Sequence, residues 1–367
     1  MNILIACDSF KDALDAFSVS QAIEKGLLMA HPTFTTRLFP LADGGEGMSE
    51  MLRYHLGLRG VTLTVADPLG RPVAATYNVS ADGTVAFIEM AQASGLQLLA
   101  PAERNPLLTS TFGTGEMVAH ALRHGAQRIV LGIGGSATND LGTGLATALG
   151  WRFLDQNGAI LAGNGGNLAK IARIIPPETP LNIPVEVVCD VTNPLLGPSG
   201  AAAVYAPQKG ANAEQQAALE AGAAHVVRVA GLPDNFAAQP GAGAAGGLGF
   251  GAVFFLGGQL RRGIDALMDL TQFDAQVAWA DLIITGEGRL DSQTAHGKLI
   301  AGIVQRANGR KVIAFCGALE MQPEEVQKMG LWSAFSIANK PLSLPDALAH
   351  TRENLERTAF LVGRMLG

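Results

Sequence analysis

The sequence predicts an α/β fold, a Rossmann-like parallel-sheet domain carrying a second, inserted mixed α/β domain, with an active-site cleft between them. Three observations carry this reading. Short apolar runs alternate with helical stretches at both chain ends, the pattern of a parallel sheet covered by helices. The segment "VTLTVADPLGRPVAATYNVSADGTVAFIEMA" instead holds three β-rich runs split by Pro-Leu-Gly and Asp-Gly turns, which is hairpin patterning. The 367 residues suffice for about two ordinary domains, each with its own core. The expected division is residues 1–60 plus 275–367 for the Rossmann-like domain and 61–274 for the insert.

Taken in order, "NILIA" is the first strand and "CDSFKDALDAF" a loop. A helix follows, opened by the capping pattern Ser18 to Gln21, with Val19, Ala22, Ile23, Leu27 and Ala30 on its apolar face. "TRLFPLA" is a second strand, leading into Asp43-Gly44-Gly45-Glu46-Gly47 and another helix. After the hairpin segment come strands at "RIVLGI", "GWRFLD" and "VEVVCD". "GAGAAGGLGFGAVFFLGG" has the spacing of a closely packed helix, not of a linker. Near the end "DLIIT" runs into the loop "GEGRLDSQTAHGK", and "KVIAFCG" and "WSAFSIAN" are strands each followed by a helix.

Composition narrows the function. A charged fraction of 16% against 48% hydrophobic residues is unlike a disordered chain. A net charge of −6 disfavours nucleic acid and anionic membranes as partners, so any phosphate must be held by local groups. Cys7, Cys189 and Cys316 form no CxxC pair and read as free thiols of a reducing compartment. "MNILIAC" lacks the basic and apolar regions of a leader, and no apolar run approaches the ~20 residues of a membrane span. The expected location is cytoplasmic.

The glycine motifs admit several readings. Gly132-x-Gly134-x-x-Ala137 fits a dinucleotide fingerprint, with Asp155 placed about twenty residues on for a ribose. Against it, Ser136, Thr138, Asn139 and Asp140 crowd the turn with polar groups, and Asp140 would repel a pyrophosphate. Gly241 to Gly246 repeats the pattern without a strand before it. No Walker motif surrounds Gly297-Lys298, although a helix start with a lysine can still hold phosphate. GxSxG, HExxH and histidine clusters are absent. Four strand ends carry acids: Asp8-Ser9 with Lys11, Asp43 with Glu46, Asp190 with Asn193, and Glu287 with Asp291. Acids there, two sets with a lysine nearby, suit a hard cation and an anionic oxygen bound together.

Together these segments resemble the type I glycerate kinase family, bacterial two-domain enzymes that phosphorylate D-glycerate with MgATP. The resemblance spans nearly the whole chain, through "DSFKDAL", "PLADGGEGM", "FIEMAQASGL", "TSTFGTGE", "GIGGSATNDLGTG", "CDVTNPLLGPSGAAAVYAPQKGA", "PGAGAAGGLG" and "ITGEGRLDSQTAHGK". Phe10 stands where tyrosine is common. The resemblance implies ATP and Mg²⁺ as cofactors and favours 2-phosphoglycerate as product. It makes the loop after "RIVLGI" a substrate or nucleotide phosphate cradle, with Gly134, Gly135 and Ser136 giving amides and Thr138, Asn139 and Asp140 side chains.

Phosphoryl transfer requires alignment, charge neutralisation and a proton acceptor. Asp190 is the candidate acceptor and Asp43 its rival. Asp291, Glu287 and Glu46 are candidate Mg²⁺ ligands. Lys11 and Lys298 are candidates for phosphate or the glycerate carboxylate, and Ser9, Arg71 and Asn193 for glycerate. The alternatives are an NAD-dependent hydroxy-acid oxidoreductase and a non-catalytic two-lobed ligand sensor.

Overall fold

The computed structural model describes residues 1–42, 48–291 and 299–367. In chain order the strands are β1 (Asn2–Ile5), β2 (Thr35–Leu38), β3 (Arg59–Ala66), β4 (Pro72–Val79), β5 (Val85–Glu89), β6 (Arg128–Gly132) and β7 (Arg152–Leu154). They continue with β8 (Arg173–Ile175), β9 (Val185–Val188), β10 (Gln259–Arg261), β11 (Leu282–Leu290), β12 (Lys311–Leu319) and β13 (Ser333–Ser336). By contacts the chain forms two compact units, Met1–Leu52 with Gly263–Gly367, and Arg53–Arg262. Among the described residues no helix is long and apolar enough to cross a membrane.

The first unit holds a parallel sheet in the order β13-β12-β11-β1-β2. Its central strands β1, β11 and β12 carry continuous apolar runs because both faces are covered there: Ile3, Leu4, Ile5, Ile283, Ile284, Ala314 and Phe315 are all buried. Helix Ala16–Ala30 lies along helix Thr351–Leu366, joining Val19, Ile23 and Leu27 to Leu355, Ala359 and Val362 in one core. The approach is close. A Cβ on Gly26 would come 2.2 Å from the Glu356 carbonyl oxygen.

Two local expectations change here. The first helix is capped by Asp15, whose carboxylate accepts from the Ser18 amide at 2.7 Å and hydroxyl at 2.8 Å. It therefore starts ahead of the Ser18 to Gln21 pattern, because Asp15 already satisfies an amide left open in the first turn. The second change concerns "GEG". β11 runs on through it, with Glu287 opposite Cys316 and Leu290 opposite Leu319. Gly286 and Gly288 make no turn; Cβ atoms on Gly286 and Gly317 would each lie 2.6 Å from a carbonyl oxygen of the neighbouring strand.

The second unit holds a six-stranded sheet, β10-β9-β6-β5-β4-β3. β3, β4 and β5 pair antiparallel as the hairpin patterning predicts, with left-handed Gly70 and Gly83 in the turns. β5, β6, β9 and β10 are parallel. β7 joins neither run. It pairs antiparallel with β8 in a sheet of its own. Helices Phe112–Arg123, Ala213–Val229 and Ala244–Leu256 cover the core through Met117, Val118, Val226, Leu248 and Phe250. The glycine-rich helix does pack closely: a Cβ on Gly251 would lie 2.0 Å from the Leu141 carbonyl oxygen. Its first turn departs from helical geometry at Ala245, Gly246 and Gly247, against the loop at Thr138.

Candidate active site

In the first unit the chain leaves β1 for β2 on one side, while β11, β12 and β13 extend the other. The order of strands thus reverses between β1 and β11, and ligands of open α/β sheets bind at the carboxyl ends beside such a reversal. The Asp8 amide donates to the Gly286 carbonyl at 2.9 Å, which ties the loop after β1 to the strand bearing Glu287. Asp8 accepts from the Ser9 amide at 2.6 Å, and Phe10 and Leu14 exchange backbone bonds around left-handed Asp12. The result is a tight knot that presents Lys11 to solvent. A cleft of about 1350 Å³ opens there, lined by Asp8, Ser9, Lys11 and Glu287 and, elsewhere, by Ile337, Leu342, Leu344 and Leu348. Asp291 follows β11 and pairs with Arg289 at 3.3 Å, and Arg289 also holds Glu320 at 2.6 Å.

In the second unit the carboxyl ends of β5, β6, β9 and β10 lie side by side. The Met90 amide donates to Gly132, Ile133 to Val188, and Cys189 to Arg261, so the segments leaving these strands start as neighbours. Asp190 leaves β9 exposed, next to the glycine turn that leaves β6. Asn193 is taken up locally, accepting from the Tyr205 hydroxyl at 2.6 Å and donating to the Ser199 carbonyl at 2.8 Å.

The glycine turn is not a dinucleotide loop. Its next helix begins only at Thr143, with ten residues between it and β6, and is six residues long. Asp155 spends its carboxylate on the amides of Asn157 and Ala159 in the turn after β7, so it serves that turn and not a ribose. Gly134 and Gly135 are exposed, with Gly135 left-handed at φ 72°. Among the described residues nothing accepts a hydrogen bond from the amides of Gly134, Gly135 or Ser136. Successive unbonded amides of this kind make an anion-binding concavity.

Behind that turn the loop is buried and polar. Asp140 is 0% exposed and accepts four hydrogen bonds, from Thr111 N and Oγ1 (2.8 Å each), Gly142 N (3.1 Å) and Gly144 N (3.2 Å). Burial pushes its carboxyl above the ordinary range, and the Thr111 and glycine donors act the other way. With these partners Asp140 is a scaffold for the loop. Thr138 Oγ1 and both side-chain polar atoms of Asn139 are buried with no partner among the described residues.

The structure also places a residue the sequence reading passed over. Lys209 donates to Ser136 Oγ and to the Thr138 carbonyl, both at 2.7 Å. The available signal was a single charge in the otherwise uncharged run "AAAVYAPQKGA". Arg71 sits in the β3–β4 turn with its guanidinium on Asp67 and Glu103, each at 2.6 Å. Asp43, Glu46 and Lys298 lie outside the described residues. Among the described residues no three acidic, histidine or cysteine side chains stand close enough to hold a metal ion.

Comparison with known proteins gives a consistent result. A family model described as the glycerate kinase family matches residues 3–367. The glycerate kinase of Bacillus subtilis (strain 168) is 44% identical over 366 residues, 98% of this chain and 96% of that protein. The glycerate 2-kinase of Escherichia coli (strain K12) is 39% identical over 367 residues, 98% and 96% of the respective chains. A solved structure from Salmonella typhimurium LT2, assigned as glycerate kinase 2, superposes with a TM-score of 0.87 at 43% identity, covering 100% of this chain and 98% of its own.

Proposed function

The chain belongs to the glycerate kinase family, and from that premise we propose that it transfers the γ-phosphoryl group of ATP to the 2-hydroxyl of D-glycerate. The supporting observation is the unbonded Gly134–Ser136 turn beside exposed Asp190 at adjacent strand ends. An anion held on the turn would sit next to a carboxylate able to take a proton.

In this reading the glycerate oxygen attacks the γ-phosphorus as the bond to the β-phosphate oxygen breaks. Asp190 takes the hydroxyl proton, and ADP leaves. The turn amides hold an oxyanion, with Asn193 shaping the segment after β9. In the first unit Lys11 and Ser9 are candidates to balance phosphate charge and to offer a hydroxyl, and Glu287 and Asp291 would hold Mg²⁺ directly or through its waters, the ion supplying charge neutralisation on the phosphates. Asp43, Glu46 and Lys298 remain candidates for base, metal and phosphate. Arg71, held by two acids of its own unit, is assigned to the hairpin turn rather than to glycerate.

The test is incubation with MgATP and D-glycerate, following ADP release and identifying the product by ³¹P NMR. A 2-phosphoglycerate signal is expected. A 3-phosphoglycerate signal would overturn the choice of hydroxyl, and absence of ADP release would overturn the kinase reading.

A further inference from the structure

Lys209 is 1% exposed, at the end of the short turn Pro207–Lys209, with its ammonium directed into the back of the Gly134–Ser136 turn. Burying an ammonium is costly, and the apolar cluster beside it, Ala206, Ala211 and Leu219, gains nothing from a charge. The chain is shaped to bring it there. Gly210 is left-handed at φ 94°, and a Cβ on it would lie 2.1 Å from the Arg104 carbonyl oxygen.

The chemistry of the contact is directional. An ammonium only donates, so Ser136 Oγ accepts from Lys209 and its own proton must point elsewhere. The second bond, to the Thr138 carbonyl, fixes the chain on the far side of Ser136. We propose that Lys209 is a positioning residue: it holds the Ser136 hydroxyl as a donor beside the Gly134 and Gly135 amides, so that the turn receives an anionic oxygen, phosphoryl or carboxylate. This assignment rests on the kinase reading of the same turn.

Its charge state then matters. A neutral amine has a lone pair and can accept from Ser136, which draws the hydroxyl proton away from a ligand. Burial lowers the proton affinity of Lys209 to about 7, with the charge of Asp140 acting the other way. Of the other charged residues on elements packed here, Arg104 meets Gly210 through its carbonyl, and Glu220 is directed to the Gly197 amide. An anion seated on the turn favours the ammonium, so its binding near neutral pH should draw in a proton.

The experiment is isothermal titration at pH 7.5 in two buffers of different ionisation enthalpy. The ligands are MgAMP-PNP, D-glycerate and sulfate, given separately to wild type, Lys209→Met, Ser136→Ala and the double variant. The ligand that occupies the turn should bring uptake of up to about 0.7 proton in wild type, and none beyond its own in Lys209→Met. That ligand should bind roughly 10- to 100-fold more weakly to Lys209→Met and about 5- to 20-fold more weakly to Ser136→Ala. The double variant should be no weaker than Lys209→Met, since one acts through the other. Unchanged affinity of all three ligands in Ser136→Ala, or additive losses in the double variant, would each overturn the assignment. The Ser136→Ala readout does not need Lys209→Met to fold. Failure of the kinase reading shows separately, as wild-type protein that releases no ADP from MgATP and D-glycerate.

Discussion

The strand ends of the two units hold their polar groups in opposite ways. In the second unit Ser136, Thr138, Asn139, Asp140 and Lys209 are all buried, and Asp140 and Lys209 are bonded inside the unit. In the first, Lys11 and Arg289 are exposed on the rim of an open cleft, and the ion pairs of Arg289 face water. The buried arrangement fixes the position of three amides before any ligand arrives, and the fold depends on it. The exposed arrangement contributes little to stability, because surface ion pairs are weak, and it can be altered without unfolding the chain. Function and stability are thus coupled in one region and separable in the other.

The largest expected effect breaks that comparison if it fails. Asp140→Ala leaves four donors unsatisfied in the interior, a loss of at least about 4 kcal/mol, a large fraction of an ordinary domain's stability. Lys11→Ala should leave the urea midpoint where it is. Trp151 lies in the second unit and Trp279 and Trp332 in the first, so fluorescence of single-tryptophan variants follows each separately. An Asp140→Ala protein with a wild-type Trp151 transition would show that the loop is not a scaffold.

Next in size is Asp190→Asn, which keeps shape and removes basicity. Turnover should fall by about 10²- to 10⁴-fold with little change in KM, and no change in either unfolding transition. Near-full turnover would move the base to Asp43. A smaller effect is expected in the exposed region: Asp291→Asn should raise the Mg²⁺ concentration for half-maximal rate, with activity partly restored by excess metal. The measurement is a Mg²⁺ titration of both variants at saturating ATP and D-glycerate. Metal rescue of Asp190→Asn instead would exchange the two roles.

What the sequence disclosed follows the same division. Strands with continuous apolar runs, such as "NILIA" and "KVIAFCG", were legible because burial on both faces leaves a one-dimensional signal. The hairpins were legible through Gly70 and Gly83, where turn chemistry is local. Where a glycine serves a neighbouring strand, its meaning is not local. Gly286 and Gly288 look like a turn until β12 is placed beside them. Asp155 matched a ribose acid by spacing, yet β7 leaves the main sheet and the spacing loses its sense. Lys209 was hidden for the same reason, since its partners Ser136 and Thr138 lie more than seventy residues away.

The finest test of the comparison uses pH. The folded chain holds the Lys209 proton weakly, with an affinity lowered from 10.5 to about 7 by burial. Below pH 7 folded and unfolded chains both carry this proton, and the cost of burying the charge is present in full. Between pH 7 and 10.5 the unfolded chain binds more protons, so this residue's contribution to stability rises with pH and levels off above that window. Lys209→Met has no group to titrate there. The unfolding free energy of wild type minus Lys209→Met, read from Trp151, should therefore increase by roughly 1–3 kcal/mol from pH 6 to pH 9. Groups common to both proteins cancel in the difference. A flat difference would mean that the charge of Asp140 keeps Lys209 protonated throughout this range.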